Sequence, residues 1–133
     1  MATDLYTAVV TSSSGTARSD DGALSVSVHE PTALKGTGEG TNPEQLMAAA
    51  LGSCLLESLR IATSSTGGSV DDVSVESRVT LVEDEGAGYS ARYALAVSLP
   101  GTDDADAVLQ QALAICPFTK TVDPAVLDVS VAA

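Results

Sequence analysis

The chain has 133 residues, which suits one domain with a real core, and 44% are apolar but only 3% aromatic, so that core must be built from Val, Leu and Ala. Eighteen acidic residues against six basic ones leave a net charge of −12. This excludes a nucleic-acid binder, which needs clustered cations to displace counterions, and a reader of anionic membrane surfaces; the acidity serves solubility.

The first residues, MATDLYT, lack a basic and apolar leader pattern, and the uncharged run 46–56 is too short to cross a bilayer. A soluble cytoplasmic protein is expected, in which two cysteines are reduced or redox-active groups rather than a staple. Residues 5–11 (LYTAVVT) predict a strand, 12–22 (SSSGTARSDDG) a polar turn and 23–28 (ALSVSV) a second strand. A glycine-rich loop, LKGTGEGT, follows at 34–41. Asn42 suits the cap of a helix that opens on Pro43, with Gln45 completing a capping-box pattern. SSTGGS ends that helix near 64–68.

Residues 73–82 alternate, with Val73, Val75, Val79 and Leu81 facing in and Ser74, Glu76, Arg78 and Thr80 facing out. DEGAG at 84–88 turns the chain into a partner strand, 89–99, whose Tyr89, Tyr93, Leu95, Val97 and Leu99 face in. A helix capped by Thr102 or Asp103 runs toward Cys116, and a last strand covers 127–131. The whole, 1–133, is read as one α+β domain with an antiparallel sheet packed on a long central helix.

That helix is unusual. From Leu46 to Leu56 it carries no charge on any side. A helix apolar all round is buried all round, and one sheet covers only one face. A second copy of the chain is the natural cover, so a homodimer is expected.

The thiols are the candidates for chemistry. Cys54 lies mid-helix, where no helix terminus helps its thiolate, so activation requires a nearby cation or strong donors. Arg60 is six residues on and on the far side of the helix. Arg78 and Arg92 lie on polar strand faces, and Lys120 is near Cys116. Arg18 and Lys35, in or beside loops, are free to reach inward, and an arginine fork suits the task better. Glu44 is about 15 Å along the helix from Cys54, so the two can meet only across two chains; otherwise Glu44 is a first-turn acid favoured by the helix dipole. Cys116 precedes Pro117. A helix ending there disfavours its thiolate, whereas a helical turn opening at Pro117 makes Cys116 its cap. Both arrangements are open. His29, the single histidine, and the GTGEG loop lack the partners of a zinc site, a Cys–His pair or a phosphate loop.

The segments LYTA at 5–8, SDDGALSVSV at 19–28, GTNPEQLMAAALGSC at 40–54, GYSARYALAVSLPG at 88–101 and CPFTK at 116–120 run together in an order that resembles the OsmC/Ohr family, in its organic hydroperoxide resistance branch. The resemblance covers nearly the whole chain. It implies an intertwined homodimer with its site at the subunit interface, and a thiol-dependent peroxidase acting on organic, including fatty-acyl, hydroperoxides. It implies Cys54 as the peroxidatic and Cys116 as the resolving cysteine, joined in a disulfide during turnover. Glu44 matches the family carboxylate, which works with an Arg. The reductant it implies is an external dithiol, a lipoylated protein, with no bound cofactor or metal. The branch carries its Arg in a GGR-type turn after the first strand; here TSSSGTARSDDG is shorter, and Arg18 is the residue that could take the role, with Lys35 a weaker substitute. Met47, Leu51 and Leu55 neighbour Cys54 at helical spacing and are expected either to line a peroxide channel or simply to pack the core. The competing reading is a redox-sensing or binding protein of the same fold with little turnover.

Overall fold

The computed structural model describes residues 2–65 and 71–132. The chain divides into two compact units, Met1–Pro43 and Glu44–Ala133, each built around a three-stranded sheet. The architecture is α+β, as the sequence predicts.

In the first unit, strands β1 (Val10–Ser13), β2 (Thr16–Ser19) and β3 (Ser25–Ser27) pair in the order β1-β2-β3, all antiparallel. The polar stretch read as a turn is therefore mostly a hairpin. Ser13 pairs with Thr16, and Gly15, at φ +79°, supplies the left-handed residue its tight turn needs. Period-2 analysis misses this hairpin because the pair carries polar residues on both faces and has little hydrophobic alternation to detect. The expected strand at 5–11 begins only at Val10; Leu5 and Tyr6 are 92% and 82% exposed and have no ladder partner within the described chain. The β2–β3 loop is tied by Asp21, whose Oδ1 accepts from the Ser19 hydroxyl at 2.6 Å and the Ala23 N–H at 2.9 Å. Ala17 is the one buried residue of this unit among the described residues.

In the second unit, α1 (Pro43–Ser64) opens on Pro43 directly after Asn42, with Glu44 in its first turn. Alanines and leucines give it high propensity. The expected helix end extends into residues 66–68, which lie outside the described residues. Strands β4 (Ser74–Asp84) and β5 (Gly88–Ser98) pair along their whole length around a turn at 85–87. Helices α2 (Ala105–Ile115) and α3 (Pro117–Thr121) and a 3₁₀ turn, Pro124–Val126, then lead to β6 (Leu127–Val131). β6 runs parallel to β5, so the sheet is mixed, not antiparallel throughout. The helical crossover is the reason: it returns the chain to the starting end of β5, as a parallel pair requires.

The core lies where α1 and α2 meet one face of this sheet. Leu51, Leu55, Leu59 and Ala62 of α1 pack with Val108, Leu109 and Ala112 of α2, with Leu95, Val97 and Leu99, and with Cys116. Two expected core positions are corrected. Tyr89 is 70% exposed and Leu81 38%. They sit near the hairpin end, beyond the segment Tyr93–Val97 that pairs with β6, where the sheet is only two strands wide. The α2 cap is also one residue later than expected: Asp104, at φ +52°, accepts from the Ala107 N–H. Asp tolerates this left-handed conformation better than most residues.

By length and composition α1 could cross a membrane, yet its leucine stripe is enclosed by this unit's own core. Its other side, with Met47, Leu56 and Ile61, is exposed. The apolar surface read from the sequence is thus half covered within one chain.

Candidate active site

Two cysteines that are 62 residues apart in sequence come together: the Cys116 and Cys54 sulfurs are 3.6 Å apart, and both are free thiols. Cys54 comes from the middle of α1 and is half-buried, while Cys116 is wholly buried. Cys116 sits at the joint between two helices. Its N–H closes α2 on the Ala112 carbonyl at 2.9 Å, and its carbonyl accepts from Lys120 N–H as α3 begins. Pro117 takes the first position of α3, where a missing N–H costs nothing. Both arrangements open from the sequence are present at once: α2 ends at Cys116, and a helical turn opens at Pro117 with Cys116 as its cap.

The proline has a local consequence. The first N–H groups free to face the sulfurs are those of Phe118 and Thr119. Burial pushes the Cys54 thiol up; the Phe118 N–H draws it down, the hydrogen bond and charge of Cys116 push it up again, and the balance lies above the ordinary value. Burial pushes Cys116 up as well, but the Thr119 hydroxyl and N–H, Cys54 and the Phe118 N–H together outweigh it and leave Cys116 below the ordinary value. Either thiol could donate across the 3.6 Å contact. The extra donors around Cys116 favour Cys54 as the one that keeps the proton. Within this unit, then, the charge of the pair is better held on the buried sulfur than on the accessible one. Nothing in the sequence reading singles out Phe118 and Thr119; the signal that can find them is Pro117 at a helix start, which identifies the next two amides as free donors.

The other expected site residues are distributed as follows. Glu44 is half-buried on the first turn of α1, about 15 Å along the axis from Cys54, so it does not reach the thiol of its own chain. Leu51 and Leu55 are fully buried in the core beside Cys54, and Met47 is exposed. Arg18 and Lys35 belong to the first unit. Arg18 is exposed and lies within β2 rather than in a loop, paired in register with Thr11 and Ser25. Lys35 closes a 3₁₀ turn, Thr32–Leu34, at φ +65°. The His29 ring lies against Gly15, at 3.3 Å from where a Cβ there would stand. Among the described residues no three of His, Cys, Asp and Glu gather closely enough to hold a metal.

Residues 36–130 match the family of OsmC-like proteins. The chain belongs to the OsmC/Ohr family. It is 33% identical over 123 residues to the organic hydroperoxide resistance protein of Xanthomonas axonopodis pv. citri, covering 87% of this chain and 86% of that one. Among solved structures, OhrB of Bacillus subtilis, an organic hydroperoxide resistance protein, superposes with a TM-score of 0.79 at 30% identity, over 96% and 98% of the two chains. The organic hydroperoxide resistance protein OsmC of Legionella pneumophila gives 0.85 at 29% identity, over 98% and 100%. These likenesses run the length of the OsmC/Ohr chain and place it in the organic hydroperoxide resistance branch.

Proposed function

We propose that this protein is a cysteine-based peroxidase that reduces organic hydroperoxides, including fatty-acyl ones, to alcohols. The observation that carries the reading is the pair of free thiols 3.6 Å apart, one accessible and one buried, in a family whose relatives are named for organic hydroperoxide resistance. The Cys54 thiolate attacks the distal oxygen of ROOH, the O–O bond breaks, ROH leaves after taking a proton, and Cys54 becomes a sulfenic acid. The Cys116 thiolate attacks that sulfur, the S–O bond breaks, hydroxide leaves as water, and a disulfide results. An external dithiol, a lipoylated protein, reduces the bridge by thiol–disulfide exchange, and no bound cofactor takes part.

The raised pKa of Cys54 makes a cation necessary for the first step. Arg18 is the residue we assign, held by Glu44 of the partner subunit, with the exposed Met47 on the peroxide side of the thiol and Leu51 and Leu55 packing the core behind it. A homodimer is supported by what one chain leaves uncovered: the outer side of α1, and a first unit that buries only Ala17 among its described residues. The protein works in the cytoplasm, where a dithiol reductant is available.

Steady-state reduction of cumene hydroperoxide with dihydrolipoyl protein tests the reading. Turnover is expected in wild type and lost in Cys54→Ser. A disulfide that forms without turnover above that control would instead favour redox sensing. Arg18→Ala is expected to raise the apparent Cys54 pKa; no change would remove Arg18 from the site.

A further inference from the structure

Helix α1 carries a single glycine, Gly52, in the middle of its 22 residues, although glycine is among the poorest helix formers. The position where a Cβ would stand there is 2.6 Å from the Ser77 hydroxyl oxygen of β4, too close for a side-chain carbon. That hydroxyl is wholly enclosed and has no hydrogen-bond partner among the described residues. Around this contact helix and strand do not close up: a cavity of about 310 Å³ opens among Ala48, Ala49, Ser53, Leu56 and Val75. The spacing of α1 from β4 therefore rests here on Gly52 and Ser77.

Two residues along a helix turn through about 200°, so Cys54 points from the side of α1 nearly opposite Gly52. The helix is thus held between Ser77 on one side and Cys116 on the other, whose sulfur is 3.6 Å from that of Cys54. We propose that Gly52 is a positioning residue that sets the redox poise of the thiol pair: lacking a side chain, it lets α1 sit back against β4 and keeps the Cys54–Cys116 bridge easy to open. A bridge requires the sulfurs to approach, so α1 must leave its seat on Ser77 or the α2–α3 joint must move. That displacement favours the dithiol, and a strained bridge is one that an external dithiol reduces readily. A Cβ at position 52 pushes α1 off Ser77 toward Cys116 and so supplies part of the movement in advance. In the peroxidase reading above, on which the bearing on turnover rests, the easy opening is what returns the enzyme to its thiol form.

The test is a redox equilibrium. Wild type, Gly52→Ala, Ser77→Ala and the double variant are equilibrated with dithiothreitol at set ratios of its oxidised and reduced forms. They are then quenched and scored for bridged and free thiols by mass spectrometry. Each bridge formed passes two electrons and two protons from Cys54 and Cys116 to one dithiothreitol disulfide, which opens. In Gly52→Ala the equilibrium is expected to favour the bridge about tenfold more than in wild type, as relief of part of its strain would do. The double variant should return to within twofold of Ser77→Ala alone. With the hydroxyl oxygen gone, the atoms nearest a Cβ at 52 are Ser77 Cβ and Val75 Cγ1 at 3.8 and 3.9 Å, ordinary contacts. A general loss of stability would not be reversed by a second truncation. An unchanged equilibrium in Gly52→Ala, or a shift toward the dithiol, refutes the role, as does a shift that persists in the double variant. Where dithiothreitol is too reducing to leave any bridge, glutathione replaces it. No peroxide enters, so failure of the peroxidase reading leaves the test standing. Should Gly52→Ala not fold, Ser77→Val presses on the same contact from the strand, where valine is favoured, and must shift the equilibrium the same way.

Discussion

Oxidising the thiol pair should stabilise the fold by an amount that follows from its geometry. The sulfurs are 3.6 Å apart in the reduced protein and 62 residues apart in sequence. A disulfide holds them at about 2.05 Å, so α1 and the α2–α3 joint need approach by only about 1.5 Å. Closing a loop of this length removes roughly 14 cal/mol/K from the unfolded chain, or about 4 kcal/mol at 25 °C, with native strain subtracting from that figure. At a guanidinium slope of roughly 3–4 kcal/mol/M, the unfolding midpoint should rise by about 1 M. The assay is equilibrium unfolding of the reduced protein and of protein bridged by one equivalent of organic hydroperoxide, with Cys54→Ser as the control that cannot bridge. A bridged protein with an unchanged or lower midpoint would refute the reasoning, because the thiols would then not be neighbours at rest.

Leu55→Ala should cost about 2–5 kcal/mol in the same unfolding assay, since Leu55 is fully buried beside Cys54, while Met47→Ala, at an exposed site, should cost under about 1 kcal/mol. Ser77→Ala should stabilise by about 1 kcal/mol, because the Ser77 hydroxyl is buried without a partner where it faces Gly52; a loss of stability would mean that the hydroxyl is satisfied in solution. In the reduced protein the folded-state pKa of Cys116 lies below the ordinary 9.0, since burial raises it but Thr119, Cys54 and the Phe118 N–H outweigh that, and reduced Cys54→Ser isolates this thiol for measurement. The unfolded chain then binds more protons between those two values, so stability should rise as pH climbs toward 9.0 and be lost as pH falls through the folded pKa; a flat profile would contradict the lowering.

Much of the fold is legible in the sequence. Alternation along 73–82 and 89–99 locates the β4–β5 hairpin, and Pro43 and the glycine-bracketed run locate α1. The last strand lies at its expected limits, though its parallel direction is not readable, since periodicity carries no information about which way a strand runs. The β1–β2 hairpin is hidden because its residues are polar on both faces. The cap of α2 cannot be chosen among Thr102, Asp103 and Asp104, all competent cap residues. The two thiols are found by scarcity and by resemblance. Their hydrogen-bond environment is not, because it is made largely by backbone amides that nearly every residue type carries.

The 62-residue spacing of the cysteines also bears on the protein's birth. At 5–20 residues per second, a ribosome makes Cys54 roughly 3–12 s before Cys116 exists. During that interval the first thiol has no neighbour to rescue it once oxidised. It also has none of the folded environment proposed to make it reactive, so it remains an ordinary cysteine with a sluggish thiol. The proposed reactivity and its proposed safeguard both require the finished fold, and the nascent chain would meet an oxidant with neither.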